Sequence, residues 1–331
     1  MLSRLLVASF LMMPGPALAN DTMAELETGG LAYVQSDEVS MEEEDLFISR
    51  DEIRVRYVFA NSSDRDVTSI VAFPMPDILG EPNGMIAIPD MEADNFLGFS
   101  VLQDGKPIEP TLQQRVIALG IDMTEEVVAR GIPLLPYSAA TSEALEKLPA
   151  EVKAGWIDKG LIFADRYDEG EGMVEHLIPL WTLRSVYWWE TTFPAGRQVR
   201  VEHSYKPSVG GTVDVSYLED GKPTGQRYRD YVERYCIDDN MVKIARQSKA
   251  ALEAGKPHYV ENWISYVLTT GANWQGPIKR FKLTVDKGRP QDYVSFCGSG
   301  VKKVGPTTFE MTVEDFFPEK DLHILFLMAT D

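Results

Sequence analysis

Ile53-Arg54-Val55-Arg56-Tyr57-Val58-Phe59-Ala60, Asn61-Ser62-Ser63-Asp64-Arg65-Asp66 and Val67-Thr68-Ser69-Ile70-Val71-Ala72-Phe73-Pro74 form the stretch whose reading decides the fold. Ile53, Val55, Tyr57 and Phe59 alternate with Arg54, Arg56, Val58 and Ala60, and a polar, turn-rich hexapeptide then breaks the run. Alternation on both sides of such a break describes two antiparallel strands with one buried face, and Pro74 stops the second because it cannot donate to a ladder. The pattern returns at Val199–Tyr205 and at Phe281–Val285, so the chain reads as β-rich.

Outward from this stretch, the chain begins Met1-Leu2-Ser3-Arg4, runs apolar from Leu5 to Met13 and closes in Ala17-Leu18-Ala19. A basic start, a short apolar core and an Ala-x-Ala site read as a cleavable signal peptide over residues 1–19, with cleavage after Ala19 and export to the periplasm. The apolar run is shorter than the ~20 residues a spanning helix needs, so no membrane span is expected. With 32 basic against 51 acidic residues the chain carries a formal charge of −19. That balance disfavours nucleic acid and anionic membrane surfaces as partners. The 331 residues suit about two domains at ~100–200 residues each.

The expected class is mainly β (α+β): two antiparallel β-sandwich-like domains with helical insertions. The N-terminal one covers residues 20–110, a helical insertion and linker 111–170, and the C-terminal one 171–331. Within 20–110, Glu42-Glu43-Glu44-Asp45 reads as a solvated loop rather than a calcium site, because alternating ligands are missing. Asp104-Gly105 reads as a tight hairpin turn, echoed by Asp220-Gly221 inside a second Asp-Gly-Lys-Pro. In the insertion, Asp122 with Glu125, then Thr141 or Ser142, then Pro149 open three short helices, and 165–175 looks like a mobile linker. One helix, about 239–254, sits inside the last domain, capped by Asp238 or Asp239. Leu322 to Met328, apolar on both faces, reads as a central strand.

Cys236 and Cys297 are the two cysteines of a chain bound for an oxidising compartment. Pairing is the expectation, with two separate buried thiols the alternative.

Several segments together resemble one exported bacterial family, domain-of-unknown-function family number 4424. They are Asn20-Asp21 after Ala-Leu-Ala, Phe73-Pro74-Met75-Pro76-Asp77, Phe193-Pro194-Ala195-Gly196, Val201–Tyr205, Tyr235–Asp238, Leu268–Trp274, Val285–Gly288 and Ser295-Phe296-Cys297. The resemblance covers nearly the whole exported chain and brings no activity, cofactor or catalytic residue with it. Both cysteines fall in its motifs, which supports the disulfide.

The chemistry-bearing residues are sparse. Only His176, His203, His258 and His323 are available as bases, none at metal-ligand spacing, and no Gly-x-Ser-x-Gly elbow occurs, so no metal and no cofactor is expected. The one lead is aromatic: Trp181, Trp188, Trp189, Tyr205 and Trp274 could line a groove that stacks sugar rings or grips a peptide, against the alternative of core filling. Adjacent Trp188 and Trp189 must point to opposite sides of a strand. The reading is a non-catalytic periplasmic binding or interaction module for an envelope protein or glycan. The alternative is an exported hydrolase acting on glycans through paired carboxylates.

Overall fold

The structure, a computed structural model, describes residues 22–330 apart from 28, 29, 83, 169 and 171. The expected leader over residues 1–19 and the start at Asn20 lie outside the described residues. Ile53–Asn61 is a strand whose Ile53, Val55, Tyr57 and Phe59 are buried while Arg54 and Arg56 are exposed, and Val67–Pro74 is the strand after the break. The two do not pair with each other. They lie in different sheets and face one another across the interior.

Ile53–Asn61 sits inside an eight-stranded sheet between Val39–Ile48 and Gln198–Tyr205. Beyond Val39–Ile48 comes Ile278–Asp286, paired in parallel, and then Thr308–Phe316. Strands expected in two domains therefore share one sheet. A seven-stranded sheet holds Val67–Pro74, Thr182–Phe193 and Thr111–Ala118, with the Thr22–Glu27 and Gly30–Val34 hairpin at one side. A five-stranded sheet is built on Tyr259–Tyr266 and Leu322–Ala329.

The inward face of the eight-stranded sheet meets both of the others in one core. Phe59 lies edge-on to Phe193 at 5.8 Å, and Trp189 lies 5.5 Å from the His203 ring. Tyr57 and Tyr266, 209 residues apart, bring their hydroxyl oxygens to 3.0 Å. Each fully buried Leu, Ile, Val or Phe contributes about 1.5–3 kcal/mol relative to exposure, so the alternation of these strands drives the layering. Leu322–Ala329 is central, with Tyr259–Tyr266 on one side and Tyr293–Phe296 on the other. Its Ile324 and Phe326 face the shared core, and its Leu325 and Leu327 face two helices on the outside.

Four local expectations are corrected. Glu42–Asp45 is not a loop but part of Val39–Ile48, whose register shifts between Met41 and Glu43, so Glu44 turns inward and is 1% exposed. Thr111–Ala118 is a strand, because its alternate residues continue the seven-stranded sheet before the helices begin. The linker expected over 165–175 is a hairpin, Ile162–Asp168 paired with Met173–Pro179. Its tip is tied by the Asp168 carboxylate, which accepts the N–H groups of Gly170 and Gly172. A second helix, Gly225–Tyr235, precedes Asp239–Glu253, because Tyr228, Tyr231 and Tyr235 recur on one face and pack against the five-stranded sheet.

The three insertion helices are Thr124–Val128, Ala139–Glu146 and Ala150–Asp158, but the first two do not open where expected: Met123, with no side-chain cap, precedes the first, and Ser138, which accepts the Thr141 N–H, caps the second. Other local readings hold. Asp238 accepts the Met241 N–H as an N-cap. Asp104 and Gly105 both take positive φ between Ser100–Gln103 and Lys106–Ile108, and Asp220 and Gly221 repeat that geometry. Cys236 and Cys297 form a disulfide that fastens the end of the Gly225–Tyr235 helix to the strand Tyr293–Phe296. No helix among the described residues is long and apolar enough to cross a membrane.

Candidate functional site

The five aromatic residues do not gather into a groove. Trp189, Tyr205 and Trp274 belong to the shared core, with Trp274 packed on Phe59 at 4.3 Å. Trp181 lies in a separate core under the helical insertion and donates its indole N–H to the Leu134 carbonyl. The cause is the strand period: Trp189 falls on the inward side of Thr182–Phe193 and Tyr205 on the inward side of Gln198–Tyr205. Trp188 alone points outward, half-buried, as its adjacency to Trp189 requires.

That outward face is where polar chemistry collects. Thr182–Phe193 and Thr111–Ala118 pair so that Arg184 stands directly opposite Arg115, and Val186 opposite Gln113. These residues, with Ile117, line a cavity of about 530 Å³. Its far wall is Leu31 and Tyr33 from the Gly30–Val34 strand, and its rim carries Met75 and Asp77 of the Phe-Pro-Met-Pro-Asp segment. Gly120 and Asp122 close the other side, at a turn where Leu119 and Gly120 both have positive φ.

Two ion pairs anchor the arginines. Arg184 donates from Nε to Asp77 Oδ2 at 3.1 Å, and Arg115 from Nη1 to Asp122 Oδ2 at 3.0 Å. The two carboxylates differ in state. Burial pushes the Asp77 carboxyl above its usual range, although Arg184 pulls it down. Asp122 is held below the usual range: partial burial opposes this, but the Thr124 hydroxyl, the Thr124 N–H and Arg115 outweigh it. Tyr33 is pushed up to about 12 by burial and by the Asp77 charge, with Arg184 opposing, so its hydroxyl keeps its proton at neutral pH. Among the described residues, the remaining guanidinium N–H groups of both arginines, the Tyr33 hydroxyl and the Gln113 amide have no protein hydrogen-bond partner. The cleft thus offers many donors, few free acceptors and apolar walls.

A larger cavity of about 730 Å³ lies beside the disulfide, lined by Arg234, Tyr231, Cys297 and His323. Several of its polar groups are engaged with one another or with the sheet beneath. His323 Nδ1 lies 2.8 Å from Ser265 Oγ across the strand pair, and Tyr231 donates to Glu261 Oε2 at 2.7 Å. Sequence reasoning passed over Arg115, Arg184 and Tyr33, since isolated charged residues in strand patterns read as solvent-facing. Only strand register sets the two arginines side by side.

No curated protein matches the chain. Among solved structures, it is similar to a crystal structure from Legionella pneumophila subsp. pneumophila str. Philadelphia 1, described as a "putative nutrient binding protein". The two share 17% identity over 93% of this chain and 70% of the other, with a TM-score of 0.45. The profile described as "Domain of unknown function (DUF4424)" matches residues 19–325, and the chain belongs to that family.

Proposed function

We propose that this is an exported, non-catalytic binding protein that holds a small ligand in the cleft on the outer face of the seven-stranded sheet. The observation that carries the reading is the set of donors on Arg115, Arg184, Tyr33 and Gln113 that have no protein partner among the described residues, gathered in one cavity with apolar walls. A cleft of about 530 Å³ falls in the ~300–1,000 Å³ range of small-molecule sites, where a few convergent polar groups set orientation. Residues 1–19 supply the export signal, so the periplasm is the compartment and Asn20 the first residue of the working chain.

The test is retention. Protein recovered from the periplasm is examined by native mass spectrometry beside a Val186→Trp variant, whose added bulk fills the cleft. A retained solute that the variant loses supports the reading, and identical bare spectra from both overturn it. Intact-mass measurement of the same sample checks for a chain beginning at Asn20.

The hydrolase reading has one observation in its favour: Asp77 and Asp122 line the same cleft, and their surroundings push their pKa values apart. Against it, both oxygens of Asp122 are already taken, Oδ1 by Thr124 and Oδ2 by Arg115. Release of reducing sugar from cell-wall glycans by the wild type, abolished by Asp77→Asn, would favour hydrolysis.

A further inference from the structure

We infer that the ligand of this cleft is a small organic anion whose carboxylate or phosphate oxygens sit between Arg115 and Arg184. The inference rests on the binding reading above and names the class of solute. Its starting point is a register that sets two arginines directly opposite each other on neighbouring strands, both lining the one cleft. Like charges so opposed destabilise a sheet unless something between them is negative. The two aspartates answer this only in part, Asp77 through the Nε of Arg184 and Asp122 through the Nη1 of Arg115. The other guanidinium donors remain unpaired among the described residues, half or more of the Arg184 side chain being exposed at 51%. A planar guanidinium fork matches the two oxygens of a carboxylate or phosphate with parallel hydrogen bonds.

The remaining lining fits the same class. Tyr33 and Gln113 add neutral donors, which an anion's further oxygens can satisfy. Leu31, Ile117 and Val186 give the carbon body an apolar seat. A cationic solute would meet two arginines and leave every one of these donors without an acceptor. Asp77 is the counterweight: it occupies Arg184 while the cleft is empty and repels an arriving anion.

The experiment titrates the mature protein with succinate, inorganic phosphate, glucose and putrescine, following tryptophan fluorescence and calorimetric heat. Succinate or phosphate should saturate the protein, and glucose and putrescine should not. Saturation by succinate alone identifies a carboxylate ligand and saturation by phosphate alone a phosphate one, and either supports the inference. Arg184→Gln should weaken the anion about 10- to 100-fold, the range of a lost charge-assisted bond, and Arg184→Lys by less, since it keeps the charge but not the fork. Asp77→Asn should tighten binding about tenfold by removing the competing carboxylate. That gain is the discriminating readout, because a merely structural Asp77 would give a loss, and a single cooperative thermal transition confirms that each variant is folded. Saturation by glucose or putrescine, or silence from all four probes, overturns the anion class. The binding reading itself falls only if the retained-solute comparison is also blank.

Discussion

Lowering the pH should cost this fold stability through His323 in a way one substitution can isolate. The ring sits across the strand pair from Ser265, and burial, reinforced by the charge of Arg234, lowers its pKa from 6.5 to about 4. The unfolded chain takes up this proton near pH 6.5 and the folded one only near 4, so the unfolded state holds more protons in between. Stability is therefore intact above pH 6.5 and drains as the pH falls through that window towards 4. At about 1.4 kcal/mol for each pH step of one, the whole window is worth roughly 3 kcal/mol. His323 is only partly buried, and solvent screening brings the expectation nearer ~2 kcal/mol. Urea unfolding at pH 7.5 and pH 4.5, followed by tryptophan fluorescence, measures the loss in wild type and in His323→Gln. Subtracting one from the other removes the carboxylates that titrate in both. Wild type should lose about 2 kcal/mol more than the variant, and equal losses would refute the assignment of a partly buried, neutral ring.

Further outcomes follow from other parts of the molecule. Replacing Cys236 and Cys297 by serine should destabilise the fold by about 4 kcal/mol in the chain-entropy model, given a separation of 61 residues. Urea unfolding checks this, with a steeper slope expected because the chain without its cross-link exposes more surface when unfolded, and a loss under ~1 kcal/mol would count against it. A Cβ at Gly210 would stand 2.1 Å from Trp263 Nε1, so Gly210→Ala should cost about 1–3 kcal/mol by thermal unfolding. Trp263→Leu in the same chain should recover part of that loss, a coupling that a double-mutant cycle measures. Trp189→Ala should cost about 3–5 kcal/mol as a core truncation. The half-buried Trp188→Ala should cost about 1 kcal/mol, and the reverse order in denaturation would contradict the register of their strand.

What the sequence made legible was face and termination. Alternation marked the buried side of Ile53–Asn61, the unbroken apolar run marked Leu322–Ala329 as central, and Asp238 announced its helix. Partnership was not legible, because a period of two says which side chains point inward and nothing about which strand lies alongside. Val39–Ile48 against Ile278–Asp286 could not be read for that reason. Neither could Arg115 beside Arg184, each of which alone looks like ordinary strand surface. The aromatic lead marked no groove, because Trp189, Tyr205 and Trp274 have the size that a three-sheet interior needs. The Gly225–Tyr235 helix escaped notice because its apolar stripe is built of tyrosines among arginines and acids.

The parallel contact between Val39–Ile48 and Ile278–Asp286 has a consequence for how the molecule is assembled. Synthesis delivers the first of these strands early and the second almost last, so one rim of Val39–Ile48 waits with bare amides and carbonyls while most of the chain arrives. A polypeptide shortened ahead of Ile278 keeps that rim open permanently and invites pairing between copies. Completion of the sheet thus waits on the tail, a long-range closure of the kind that slows folding.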